Sequence, residues 1–378
     1  MSDEHRSREP REPSVVLELS RRKTTASVAI VRDSMAHATR VTAPYVTMAR
    51  IALARLGRDR LARAGALILA CMALVGVFAD LLASGLPLAA RWHGTTFVLP
   101  DVTHPAVLRN LDVRRMRADR QPGDWVIASL VAHGPTEVGE ADPALLPPLS
   151  AGHPLGTDAL GRDVFARLVH GTRTALSHGL AASLVLVLLG TFLGALAGFA
   201  GGLVDSVVTR AVESLTAIPT LVLVLVVGAL VPDPTTSTLL WTIALTRWTD
   251  LARLVRAEVL HALGEDYVTA ARALGVSPLR VLWRHVLPNA IGPAIVATMF
   301  GIASVVLIEA AVDFLHVGPQ AGLASWGEAM GEARGNEGAW WLIAFPGLAL
   351  LATLVALNLV GEAARNAVDP RLRIGSEA

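Results

Sequence analysis

Cysteine is almost missing from this sequence. One residue, Cys71, occurs in 378, so no disulfide within the chain and no cysteine-built metal site can form. Lysine is equally scarce, with Lys23 alone. A phosphate-cradling P-loop needs GxxxxGK[ST], whose lysine reaches the phosphates, and no such glycine frame surrounds Lys23. ATP chemistry of that kind therefore has to come from another chain. HExxH and GxSxG are also absent, and His170 and His178, eight positions apart, have no acidic companion at ligand spacing. No catalytic, metal or cofactor site is expected, and the chain does not read as an enzyme. Charge is thin as well. Charged residues make up 17% of the chain, against about 25% in a soluble domain. The net charge of +1 gives no reason to expect a nucleic-acid partner.

What fills the sequence instead is apolar. Hydrophobic residues reach 53% and the mean hydropathy is +0.51. Six runs approach the roughly 20 residues that cross a bilayer as helix. They lie at about Leu61 to Leu86, Ala175 to Ala200, Ala211 to Val231, Leu239 to Leu260, Ala290 to Val312 and Trp340 to Val360. The expected fold class is an all-α polytopic membrane protein with six transmembrane helices. Its segments are a polar N-terminal tail over 1–60, a first transmembrane helix over 61–88 and an outer loop or cap over 89–173. A transmembrane core over 174–364 follows, then a C-terminal tail over 365–378. The tail near Tyr45 to Arg60 reads equally as a basic amphipathic helix on the lipid surface or as a solvated tail. The outer segment is rich in Pro and Gly with strand-like pieces such as DWVIASLV.

Arginine placement orients the chain, because short cytoplasmic segments carry the positive excess. Arg50, Arg55, Arg58 and Arg60 lead into the first run, and Arg253, Arg256, Arg272, Arg280 and Arg284 surround the fourth-to-fifth connection. Arg365, Arg371 and Arg373 follow the sixth run. Six spans with both termini in the cytoplasm satisfy this distribution.

One cytoplasmic segment, about 265–288, is not slack. In DYVTAARALGVSPLRVLWRHVLPN, Tyr267, Ala271 and Leu274 fall on one helical face. Gly275 stands where a helix closes in a left-handed residue. Ser277 is a suitable N-cap and Pro278 a suitable first helical residue. Leu279, Leu282, Trp283 and Val286 make a second apolar stripe, with Arg280 and Arg284 on another face. Leu287 and Pro288 are expected to end the element. Two short helices around a corner make a protruding knob. From the residues alone, a passive helix on the headgroups is an open alternative.

The segment AARALG with its closing LP resembles the cytoplasmic "EAA" loop of ABC importer membrane subunits. HPLGTDALGRDVFARLVHGTR (153–173) resembles the HxxGTDxxGRDxxxRxxxG segment of the dipeptide and oligopeptide permease subfamily, some of whose members handle nickel complexes. RWTDLARLVRAEVL, LIEAAVDFL and FPGLALLATLVALNLVGEAARNAVDPR follow that subfamily in order. The likeness runs from about residue 50 to 373 and is nearest to its C-type chain. It implies a permease that pairs with a homologous permease chain, two ATP-binding subunits and an extracytoplasmic solute-binding protein. It also implies that the hairpin docks on an ATPase. Ala270, Ala271 and Gly275 match the loop pattern, but Thr269 stands where the loop's glutamate belongs, which implies fewer charges on the docking surface. The outer segment is also longer than the usual form.

Polar residues inside the runs are costly unless they face protein or water. Arg247 and Asp250 lie at i, i+3, and Glu309 and Asp313 at i, i+4. Each pair reads as an intramembrane pairing or an interfacial position, or as lining of a translocation path. Gly190, Gly194, Gly198 and Gly202 form a small-residue face suited to close helix packing, and Pro219 is a candidate kink. A self-contained secondary transporter or channel is the alternative, but no internal repeat of the kind such folds use is evident.

Overall fold

The computed structural model describes residues 59–103, 105–108, 111–138, 144–150, 152–317 and 324–368. The expected amphipathic segment before residue 59 and the tail after 368 lie outside the described residues. The described chain is mostly helical. Asp59 caps helix α1 (Arg60–Val77) by accepting from the Leu61 amide, and a break at Phe78 leads to the short α2 (Ala79–Leu82). The first span is thus shorter than the apolar run. Where the helix stops, Arg173 donates to the freed carbonyls of Gly76 and Val77 and to Asp80.

A small cap follows. Strands β1 (Ala89–Trp92), β2 (Thr95–Val98) and β3 (Trp125–Ile127) pair antiparallel in the order β2-β1-β3. Trp92, Leu108 and Met116 form its core, with α3 (Pro100–Thr103) and α4 (Val113–Ala118) beside the sheet. The strand-like DWVIASLV piece supplies β3.

Helix α5 (Val164–Ala200) is capped by Asp163, which accepts from the Ala166 amide. It begins eleven residues before the run expected to span, so its first turns belong to the segment read as outer loop. At 37 residues it measures about 55 Å. Gly201 ends it. Helices α6 (Gly202–Thr216) and α7 (Thr220–Leu230) form the third apolar stretch, bent by 78°. The bend has the expected cause. Pro219 has no N–H and sits at the N-cap of α7 rather than within a helix. Helix α8 (Thr236–Leu263) is capped by Thr235 and lies along α5. Cβ atoms added at Gly190, Gly194 and Gly198 would meet the carbonyls of Trp248, Ala252 and Arg256 at 2.9, 2.5 and 2.9 Å. The glycine face is thus a backbone-to-backbone contact. Gly202 takes no part; it follows the break and adopts a positive φ of 54°.

Helices α9 (Asp266–Ala273) and α10 (Pro278–Val281) make the hairpin, and α11 (Leu287–Phe314), α12 (Trp326–Glu332) and α13 (Trp341–Val368) complete the order. Among the described residues four helices are long and apolar enough to cross a membrane, namely α1, α5, α11 from Gly292 and α13 to Ala367, or five with the bent pair counted as one span. Helix α8 is long enough too, but Arg247, Asp250, Arg253, Arg256 and Glu258 make it less apolar than these.

Candidate functional site

Two places gather the residues singled out above. The first is the hairpin. Helix α9 closes in a Schellman motif: the Val276 amide donates to the Ala271 carbonyl at 3.1 Å and the Gly275 amide to the Arg272 carbonyl at 3.0 Å. Gly275 carries φ +78°, which glycine adopts without a Cβ penalty. Pro278 takes the first helical position. Ser277 has the extended backbone of an N-cap, but its side chain makes no capping bond; the Val281 amide bonds its carbonyl instead.

The apolar faces divide differently from the sequence reading. Val268, Ala271, Val281 and Val286 are buried. Val268, Val281 and Val286 pack on Leu251, Val255, Val259 and Ala262 of α8 and on Leu186 and Ala195 of α5. Leu274, Leu279 and Trp283 turn the other way and stand 84%, 68% and 67% exposed. Leu274, the C-cap residue of α9, therefore does not share the buried face of Ala271. Leu279 and Trp283 likewise separate from Val286. Thr269, Ala270, Arg272, Pro278 and Arg284 are exposed around the three apolar side chains.

Pro288 does not end the element. Residues Leu282–Val286 form a π turn in which the Leu287 amide bonds the Leu282 carbonyl, and Pro288 enters the first turn of α11, where it needs no donor. The hairpin thus runs continuously into a spanning helix. Tyr267 braces this joint, its hydroxyl accepting from Asn289 Nδ2 at 2.8 Å. Single-turn π segments recur at functional sites.

The second place lies at the other end of α5. Asp158 accepts from the amides of Leu160 and Arg162. Its other oxygen takes Arg162 Nε at 2.7 Å and Arg167 Nη1 at 2.5 Å. Arg167 also bonds Glu332 at 2.7 Å and lies 3.2 Å from Glu328, both on α12, and Arg162 meets the same two carboxylates. His153 pairs with Asp163 at 2.8 Å, and the Trp341 indole donates to the Thr157 carbonyl. The GTD and GRD residues therefore clamp the start of α5 to α12 and α13. Burial pushes the Glu332 carboxyl above the usual carboxylate range, against the pull of Arg167 and Arg162.

A cavity of about 500 Å³ opens beside this clamp, lined from α5, α8, α11, α12 and the loop before α5. Glu309 and Asp313 both line it. They do not pair with each other. His178 Nδ1 bonds Glu309 Oε1, and Ser325 Oγ donates to Asp313. Arg247 and Asp250 are elsewhere, ion-paired at 2.9 Å on α8, with Arg253 joining Asp250 at 2.7 Å. Sequence spacing missed the acidic partner of His178, since Glu309 lies 131 positions away. Among the described residues no group of three or more His, Cys, Asp or Glu is arranged to hold a metal ion.

The family described as binding-protein-dependent transport system inner membrane component matches residues 190–374, the stretch holding the bent pair, α8, the hairpin and α11 to α13. The chain is also 38% identical over 220 residues to the di/tripeptide transport system permease protein DppC of Pseudomonas aeruginosa, covering 58% of this chain and 72% of that one. The chain belongs to this family. It is similar as well to the dipeptide permease protein DppC of Bacillus subtilis, 36% identical over 60% of this chain and 71% of that protein. The oligopeptide permease protein OppC of the same organism is 34% identical over 60% and 74%. As a family member the chain is a multi-pass membrane component of a transport system that depends on a binding protein, and the self-contained transporter reading gives way to that.

Proposed function

We infer that the chain is the permease subunit of an ATP-driven ABC importer for peptides or a related small solute, and that its hairpin is the plug into a separate ATPase. One observation carries the reading: the hairpin is rooted in the core by Val268, Val281 and Val286 and turns Leu274, Leu279 and Trp283 outward. A helix lying on headgroups needs no shaped corner. A docking knob needs a rigid root and a bare apolar face. The peptide cargo is supported by the relatives, whose names are those of di-, tri- and oligopeptide permeases.

The assembly follows the family's logic. A homologous permease chain, two ATP-binding subunits and an extracytoplasmic solute-binding protein complete it. The charged face of α8, with Arg247, Asp250 and Arg253 partly exposed, is expensive against lipid and fits a path or the partner permease. Six crossings by α1, α5, the α6–α7 pair, α8, α11 and α13 put both termini and the hairpin in the cytoplasm. The β-cap, the charged clamp and the cavity then face outward. ATP binding closes the ATPase pair, and the hairpin passes that motion through α8 and α11 to the cavity end.

Reconstitution tests the reading. The chain expressed with a homologous permease, ATPase and binding protein should support ATP-dependent peptide uptake into proteoliposomes, and the chain alone should hydrolyse no ATP. For topology, a cysteine at position 277 in a Cys71→Ala background should resist membrane-impermeant labelling in intact cells. Labelling from outside would overturn the arrangement.

A further inference from the structure

The cavity beside the clamp has a charge balance that the clamp itself does not explain. Asp158, Glu328 and Glu332 face two guanidinium groups, Arg162 and Arg167, which leaves one negative charge in excess. Glu309 and Asp313 meet neutral or titratable partners: His178 and Ser325 by hydrogen bond, and the His316 imidazole, which also lines the cavity and acts on Asp313. Glu309 is 8% exposed. Its Oε1 is held by His178, but its Oε2 is buried with no hydrogen-bond partner among the described residues. A buried carboxylate oxygen without a donor is costly, and a donor that is also a cation relieves both the missing bond and the excess charge. The cavity also has an apolar lining, from Leu239, Leu240 and Ile243 of α8 and Val312 of α11. Arg162, the one guanidinium among the described lining residues, is already shared among three carboxylates, so the permanent cation there is committed and only the imidazoles of His178 and His316 stand beside the acidic pair. The volume, about 500 Å³, falls within the usual range for small-ligand sites, roughly 300–1,000 Å³.

We propose that this cavity is a cargo subsite that binds a primary ammonium, with Glu309 as its principal acceptor, Asp313 as the second, and the Leu239–Ile243 wall taking the adjoining apolar side chain. The ligand is the amino-terminal end of a peptide in transit. Its ownership by a peptide rests on the importer reading; the ammonium chemistry rests on the cavity alone. The site selects for a free amino group and is indifferent to the far carboxylate, so its specificity differs from that of a pocket clasping both ends of the peptide.

Equilibrium binding of radiolabelled alanyl-alanine to the permease–ATPase complex in lipid nanodiscs, without binding protein, tests the proposal. Alanine methyl ester, which keeps the ammonium and lacks the carboxylate, should compete. N-acetyl-alanyl-alanine and potassium chloride at matched ionic strength should not. Glu309→Gln should weaken binding at least tenfold, and Asp313→Asn, which keeps an acceptor for Ser325, at least threefold. No saturable binding, equal competition by the acetylated peptide or by potassium, or Glu309→Gln binding within twofold of wild type would overturn it. If Glu309→Gln fails to assemble, Asp313→Asn and the competitor pair decide. Should the complex itself fail to assemble, the importer reading falls separately. The same measurement on the chain alone in nanodiscs then judges the ammonium site.

Discussion

The two ends of helix α5 solve opposite problems. At one end Arg167 is 2% exposed and sits among three carboxylates; nearly every charge there is met inside the chain. At the other end the hairpin meets its own needs with backbone bonds and valines, and sends Leu274, Leu279 and Trp283 into the open. The first arrangement fixes geometry with partners inside the chain. The second is complete only when a neighbour covers it. Charge used inward therefore marks the rigid end, and apolar surface used outward marks the coupling end.

The largest effect should come from breaking the inward end. Arg167→Leu leaves Asp158, Glu328 and Glu332 with Arg162 alone. Removing one partner from a buried ion network costs about 3–5 kcal/mol. The variant should unfold in detergent at a clearly lower temperature and accumulate poorly in membranes. Wild-type thermal stability would mean that the clamp is ornamental and the contrast between the ends is wrong.

Next comes the corner of the hairpin. A Cβ at Gly275 meets nothing within 4 Å, so a substitution there acts through backbone alone. Gly275→Val forces a β-branched residue into φ +78°, at a cost of about 1–2 kcal/mol, and re-aims α10 against α9. Insertion of the spans should survive, while ATPase co-purification and uptake should both be lost. Normal complex formation and transport in this variant would remove the support for docking.

These two sites also differ in how far they can be read from sequence. The hairpin is local chemistry. Gly275, Ser277 and Pro278 announce the corner within a few residues, and the structure puts a Schellman closure and a helix start there. Even so, the burial of its apolar residues was not legible, because which valine faces inward is decided by how the hairpin folds back on α8 and packs on α5, which local periodicity does not report. Pro288 misled for a related reason: a proline one residue into a new helix looks like a terminator until the π turn before it is seen. The clamp is the reverse case. Its residues stand out in the GTD and GRD pattern, yet their partners Glu328 and Glu332 lie some 160 to 170 positions away. Periodicity carries no information about such pairs, or about His178 and Glu309. Arg247 and Asp250, by contrast, pair within one helical turn, as their spacing implies.

A smaller effect is expected from the bare face of the hairpin. Trp283→Ala removes a ring that is 67% exposed, so thermal stability should change by less than about 0.5 kcal/mol. Exposed aromatics at a docking centre carry much of the affinity, so ATPase binding should weaken about tenfold, near 1.4 kcal/mol. Titration of detergent-solubilised complex with labelled ATPase reads this directly. A stability loss with unchanged ATPase affinity would place Trp283 on the inward side of the comparison.

The smallest effect concerns the loop's missing glutamate. Thr269 is exposed on α9, one turn after Glu265 and one before Arg272. In Thr269→Glu the new carboxylate gains Arg272 at i+3, worth about 0.2–0.5 kcal/mol. It also meets Glu265 at i−4, a like-charge pair that costs a similar amount. Its position in the first turn and a half of the helix adds little more, because the dipole effect fades beyond the first turn. The local terms nearly cancel, so helix stability should not move. If the hairpin couples through its rooted shape and its Leu274–Leu279–Trp283 face, ATPase affinity and uptake should change by less than threefold. A tenfold tightening in Thr269→Glu, lost again at high salt, would show instead that the docking surface reads charge at this position. The coupling end would then use charge outward as the clamp uses it inward, and the contrast between the two ends would reduce to exposure alone.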